Sequence, residues 1–232
     1  MMKIGNISHL IGLLLGLQVQ SSFQQPTERS ETPVLPTREI AGVTVIDTPI
    51  VRAADAFARQ YSTDSMYGHV VRSWLFGALI ISANDTLAAS IDLEIHAVAA
   101  LLHDLGLDMT PNSPHISPEG RFEVDGAISA REFIRGHEDG QHWEERRVQL
   151  VWDAIALHTE GRINAFKELD VQVLPLGVNM DFFGPAYGVS QKDHDAVVEV
   201  YPKTGQKSSV NGAMAWLCQT KPKGTYGNYA LL

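Results

Sequence analysis

Apolar residues recur at helical spacing along most of this chain. Thr48-Pro49 predicts a helix start, with Thr48 as N-cap and Pro49 at the first helical position, and Ala53, Phe57 and Tyr61 then follow on one face at steps of four. A second helix is predicted over about 65–82, where Val70, Trp74, Gly77 and Ile81 share a side. The third, over 92–105, is the most apolar, and Gly106 is expected to end it as a C-cap. Two more follow at about 123–135 and 141–157, separated by the polar stretch Gly136-His-Glu-Asp-Gly140. Helical periodicity returns at about 191–201 and 209–219. The only extended piece is Val43-Thr-Val-Ile46, and no strand pair, Gly-rich phosphate loop or internal repeat is read. The expected fold class is all-α. A bundle packed around the third helix would carry ligating side chains into its middle.

Length and composition then set bounds. With 232 residues, 44% of them hydrophobic, the chain suffices for one domain with a full core, placed at 43–232 behind a tail. A net charge of −9 makes a nucleic-acid phosphate backbone a poor partner, so none is expected. The single cysteine, Cys218, rules out an intrachain disulfide framework, and its apolar run Ala213-Met-Ala-Trp-Leu-Cys218 predicts a buried, inert thiol. In the tail, Lys3, the apolar run Leu10–Leu17, and Val19 and Ser21 at cleavage-site spacing fit a secretory signal over 1–21. Gln18 and Gln20 argue against it, and the run is too short to span a bilayer. Residues 22–42 read as a disordered linker, with Ser, Gln, Pro and Thr dominating as far as Thr37. Asn84-Asp-Thr86 is a formal glycosylation sequon, which matters only for a secreted chain.

Candidate chemistry lies in a dispersed set of side chains: His69, the adjacent His103-Asp104, and Asp181. The adjacent pair ends the run Ile95-His-Ala-Val-Ala-Ala-Leu-Leu-His-Asp104. Burying two ionisable groups there without a partner costs several kcal/mol, about 2–7 for a neutral polar group alone. A divalent metal is one such partner, and a mixed N/O ligand set suits zinc, iron or manganese. On a regular helix neighbouring side chains diverge by about 100°, so both reach one ion only if the backbone turns at the helix end. Singly, each residue has a plainer reading: His69 as a hydrogen-bonded core histidine, Asp181 as a turn or cap residue before Gly184-Pro185. Asp153 competes with Asp181 as the last ligand.

The order H…HD…D resembles the HD-domain superfamily of helical metal-dependent hydrolases. Asp64-Ser-Met-Tyr-Gly-His-Val-Val-Arg-Ser-Trp-Leu-Phe-Gly77, Ala100-Leu-Leu-His-Asp-Leu-Gly106, Arg121-Phe-Glu-Val-Asp-Gly-Ala127, Ile155-Ala-Leu-His-Thr159 and Gly177-Val-Asn-Met-Asp181 are together similar to its cyanamide hydratase branch. The resemblance implies that His69, His103, Asp104 and Asp181 hold one divalent metal, Zn2+ first and Fe2+ or Mn2+ as alternatives. It further implies that the metal activates a water to attack a small nitrile such as cyanamide, giving urea, with His158 or Asp104 relaying a proton. Glu123 would anchor a helix start beside the site. Tyr67, Trp74, Phe76, Phe182 and Phe183 are candidate walls, or plain core. Many phosphate-cleaving relatives carry a lysine at HD-x-x-K; here that position is Leu107, which favours a small neutral substrate. The alternative is a phosphohydrolase acting on a nucleotide or phosphate ester, for which Arg72 and Arg121 are the available cations. A two-metal oxygenase would need His137 and His158 as further ligands. The resemblance implies a cytoplasmic protein, against the secretory reading of the tail, and leaves a homo-oligomer open.

Overall fold

The computed structural model describes residues 35–225, so the signal-like segment and most of the predicted linker lie outside the described residues. Among the described residues, ten α-helices follow a small hairpin. The strands are β1 (Thr37–Ile40) and β2 (Val43–Ile46), and the helices α1 (Pro49–Gln60), α2 (Asp64–Ser82), α3 (Asp85–Ser90), α4 (Leu93–Leu102), α5 (Phe122–Gly136), α6 (Glu145–Ala156), α7 (Gly161–Asn164), α8 (Leu169–Phe183), α9 (Gln191–Val200) and α10 (Gln206–Thr220). The all-α expectation holds.

The hairpin corrects the absence of a strand pair in the sequence reading. β1 and β2 pair antiparallel, Thr37 opposite Ile46 and Ile40 opposite Val43. Ala41 and Gly42, both at positive φ (52° and 77°), make the two-residue turn. Alanine is disfavoured at the first of these positions, so the turn carries no sequence signal. Thus residues 37–42, placed in the disordered linker, are ordered here.

Two helices, α2 and α4, are buried on nearly every side. Thr63 caps α2, its Oγ accepting the Met66 N–H, and Asp64 in the first turn complements the helix dipole. Asp92 caps α4 by accepting the Glu94 and Ile95 N–H groups, and Arg147 of α6 clamps Asp92 and Glu94 from outside. Every residue of α4 from Ile95 to Leu102 is buried, with Ala97, Ala99 and Ala100 short enough for neighbouring helices to approach.

Helix α8 carries no helical period in the sequence, although it packs along α2. Its apolar residues run nearly all round, so no amphipathic period marks it, and Pro175 lies inside it. Gly177 makes the contact: a Cβ there would stand 2.3 Å from the Ser73 carbonyl oxygen of α2. One turn on, Asp181 meets His69, one turn before Ser73, so the two helices run antiparallel through the site.

Helix α4 ends three residues before the predicted boundary. His103 is its C-cap, Asp104 departs from helical geometry (φ −102°, ψ 14°), and Leu105–Leu107 forms one 3-10 turn. Gly106 is therefore not a left-handed cap. Its hydrogen atom lies where a Cβ would stand 1.9 Å from the Phe122 carbonyl oxygen, which lets the start of α5 press against the turn.

Candidate metal centre

The break after α4 does what the adjacent His-Asp pair requires. His103 Nε2, Asp104 Oδ2 and His69 Nε2 form a near-equilateral triangle: 3.3 Å between the nitrogens, 3.4 Å from His103 to Asp104 and 3.5 Å from His69 to Asp104. All three residues are buried, and together they form a group that could hold a metal ion.

Hydrogen bonds at the far side of each ring decide which atoms face the triangle. His103 Nδ1 lies 2.8 Å from the Ala100 carbonyl, which only accepts, so in the neutral ring Nδ1 carries the proton. His69 Nδ1 lies 2.6 Å from Asp181 Oδ2 and donates to it in the same way. Both Nε2 atoms then present lone pairs to each other, and two acceptors at 3.3 Å cannot form a hydrogen bond. A positive charge between them removes the conflict. Two ligand atoms each about 2.1 Å from a tetrahedral zinc stand about 3.4 Å apart, so the triangle fits a divalent ion of that size.

Asp181 is placed differently from the sequence expectation that it closes the ligand set. Its carboxylate sits behind His69: Oδ1 accepts from Arg72 Nε at 2.5 Å, and Oδ2 accepts from His69 Nδ1, Arg72 and Gln206 Nε2. Lys203 donates to its backbone carbonyl. Burial opposes the charge on Asp181, but the hydrogen bonds from His69 and Arg72 outweigh it and hold the carboxyl well below the usual carboxylate range. The result is a carboxylate–histidine pair that fixes the His69 tautomer and ring plane. The sequence spacing gives no sign of this, because it depends on which face of the unpredicted α8 meets α2.

His158 joins the group from the end of α6. Its Nδ1 donates to the Ile155 carbonyl at 2.7 Å, leaving Nε2 bare and 3.9 Å from Asp104 Oδ1. Burial, helped by neighbouring His103, lowers its pKa to about 4. Burial and the nearby His69 lower that of His103 to about 3. Both rings are therefore neutral at physiological pH. Burial also pushes the Asp104 carboxyl up, while His69 and His158 pull it back. Glu123, at the start of α5, is fully buried; desolvation disfavours its charge, but hydrogen bonds from Arg121 and Thr159 outweigh that and hold its pKa down.

Other candidates lie elsewhere. Asp153 pairs with Lys167 and Gln149 on the outer side of α6. His137 packs beside Phe133 and accepts the Asp139 N–H, apart from the triangle. Trp74 and Phe76 are core, Tyr67 donates to Asp55, and Phe183 is exposed. Of the proposed aromatic walls only Phe182 touches the centre, its ring 5.1 Å from that of His69. The thiol of Cys218 is half-buried, less enclosed than expected.

A cavity of about 310 Å³ opens on Asp104. Met66, Leu107 and Met109 supply its apolar side, and Tyr61, Thr63 and Asp108 are among its polar groups. No lysine or arginine lines it among the described residues. The two arginines held open for a phosphate are both engaged: Arg72 is fully buried on Asp181, and Arg121 pairs with Glu123 and Glu160.

A helical bundle with a buried His-His-Asp triangle at a helix break defines a metal-dependent enzyme of hydrolase type. The sequence matches the HD domain family over residues 66–198, more than half of the chain, and the protein belongs to that family. The matched span contains His69, His103, Asp104, His158 and Asp181. No curated protein matches the sequence. No helix among the described residues is long and apolar enough to cross a membrane.

Proposed function

We propose that this protein is a metal-dependent hydratase that adds water to a small nitrile, with cyanamide giving urea as the reference reaction. The observation that carries this reading is the cavity at Asp104, which is lined by two carboxylates and no cation, with both nearby arginines bound to other carboxylates. With a divalent ion held, its charge is matched by the Asp104 and Asp108 carboxylates and no side-chain cation in the cavity remains for a phosphate ester, whereas a neutral molecule needs none.

His69, His103 and Asp104 would hold the metal, zinc being the first choice. Asp181 would act through His69 rather than as a ligand. A divalent ion so held lowers the pKa of water to about 7 and so supplies a nucleophile at neutral pH. The chain's own part is positional and protic. His158 Nε2, bare and beside Asp104, would take one proton from the water as its oxygen bonds to the nitrile carbon. The same proton then goes to the nitrile nitrogen, and the adduct tautomerises to the amide. Atoms balance without a further reactant. Leu107 and the two methionines give the cavity one apolar side.

The test is urea release from cyanamide, run beside hydrolysis of bis-p-nitrophenyl phosphate by the same metal-loaded protein. Urea without phosphodiester cleavage is the expected result; the reverse would move the assignment to the phosphohydrolase alternative.

A further inference from the structure

Helix α10 begins on the carboxylate that backs the metal centre. Gln206, its first residue, is 7% exposed, and its side-chain Nε2 donates to Asp181 Oδ2 at 2.6 Å. This is the same oxygen that takes the His69 Nδ1 proton. The segment leading into the helix holds the same place. Arg72, bidentate on Asp181, also donates to the Tyr201 and Pro202 carbonyls, and Lys203 donates to the Asp181 carbonyl. Gly205, at a φ of 75°, turns the chain into α10 directly after these contacts. The body of α10 lies against residues that flank the ligands. Ala213 and Leu217 pack with Met66, Leu107 and Phe122 in a cluster separate from the main core. Met66 precedes His69 by three residues, Leu107 follows Asp104 by three, and the Phe122 ring is 5.7 Å from that of His158.

We infer, resting on the metal set proposed above and not on the nitrile, that Gln206 is a positioning residue that couples docking of α10 to metal binding. With the helix docked, Oδ2 has three donors, His69, Arg72 and Gln206, and stays where the His69 ring is held with Nε2 towards the triangle. When α10 lifts, the Gln206 amide is withdrawn, and the carboxylate is left to turn on its Arg72 contacts. The His69 ring then loses its fixed orientation. Coupling of this kind is reciprocal: whatever the docked helix adds to metal affinity, a bound metal adds to docking of the helix. Lys203 and the Arg72 bonds to Tyr201 and Pro202 do not involve the Gln206 side chain, so the part of the amide can be removed alone.

Cys218 lies on α10, is half-buried, and is the sole cysteine of the chain, so maleimide labelling read by mass spectrometry reports undocking of this helix. In the wild type, saturating zinc should slow labelling about tenfold. Gln206→Met keeps the side chain's length and removes the donor. Zinc affinity should fall about tenfold in this variant, and zinc should slow its labelling by less than about threefold. A merely structural Gln206 would speed labelling of the metal-free and zinc-loaded protein alike and leave their ratio unchanged. An unchanged ratio or an unchanged zinc affinity in the folded variant overturns the coupling, as does wild-type labelling that is indifferent to zinc. Leu217→Ala loosens the far end of α10 without touching Asp181 and serves where Gln206→Met does not fold. It should also bind zinc more weakly, and normal zinc affinity there overturns the coupling. A wild type that binds no zinc sinks the metal centre and the coupling together. A zinc-binding protein that shows the coupling but releases no urea sinks only the nitrile reading.

Discussion

At the scale of single residues, the site turns on which nitrogen of each histidine is bare. Carbonyls at Ala100 and Ile155 and the Asp181 carboxylate take the Nδ1 protons of His103, His158 and His69, so the Nε2 atoms converge on Asp104. This separates ligand from support in a measurable way. His103→Ala removes one corner of the triangle and should abolish bound metal, read by elemental analysis. Asp181→Asn removes the charge shared by His69 and the buried Arg72 while keeping the side chain's size, and should weaken metal binding about ten- to a hundredfold without abolishing it. Complete loss in Asp181→Asn would instead make Asp181 a ligand. Truncation to Asp181→Ala has a different cost: it leaves Arg72 buried without its carboxylate, a loss of about 3–5 kcal/mol in stability. The His103-Asp104 pair stands out in the sequence as two ionisable groups ending an apolar run, whereas His69 is picked out only by the resemblance of its motif to the HD superfamily. The position of Asp181 was not legible, because a carboxylate can lie beside a metal or one ring away from it, and one sequence does not tell these apart.

At the scale of elements, the centre depends on a break and a contact. The break follows α4, where Asp104 leaves helical geometry and the Phe122 carbonyl closes on Gly106. The contact is Gly177 on Ser73, which sets the spacing of α2 and α8 and thereby the reach of Asp181 to His69. Gly177→Ala should lower stability by about 1–3 kcal/mol, seen as a lower Tm, and weaken metal binding in the same variant. Normal metal affinity in that variant would uncouple the helix contact from the site. The helices with a clear apolar stripe or start signal, α1, α2 and α5 among them, were predictable near their true bounds. Helix α8 was missed because it is apolar nearly all round and carries Pro175, and the hairpin because its turn begins with Ala41 at positive φ.

At the scale of the whole molecule, burying neutral histidines sets a pH limit on the fold. His96 is fully buried on α4, and burial lowers its pKa to about 4, against 6.5 when exposed. Between these values the unfolded chain binds a proton that the folded chain refuses. The contribution is therefore complete above about pH 6.5 and is lost as pH falls towards 4, on the order of 3 kcal/mol for this one group. Urea denaturation of the metal-free protein should show its midpoint falling between pH 7 and 5; a flat profile would mean that His96 takes up a proton as readily in the folded state as in the unfolded one. The proposed function requires that the buried triangle hold a metal which serves hydration of a small nitrile. The most direct test is elemental analysis of the purified protein and its His103→Ala variant, with urea release from cyanamide measured on the same samples. One zinc per chain with urea production, both lost in the variant, is the predicted result. Metal retained by the variant, or a fully metal-loaded protein that releases no urea, would contradict it.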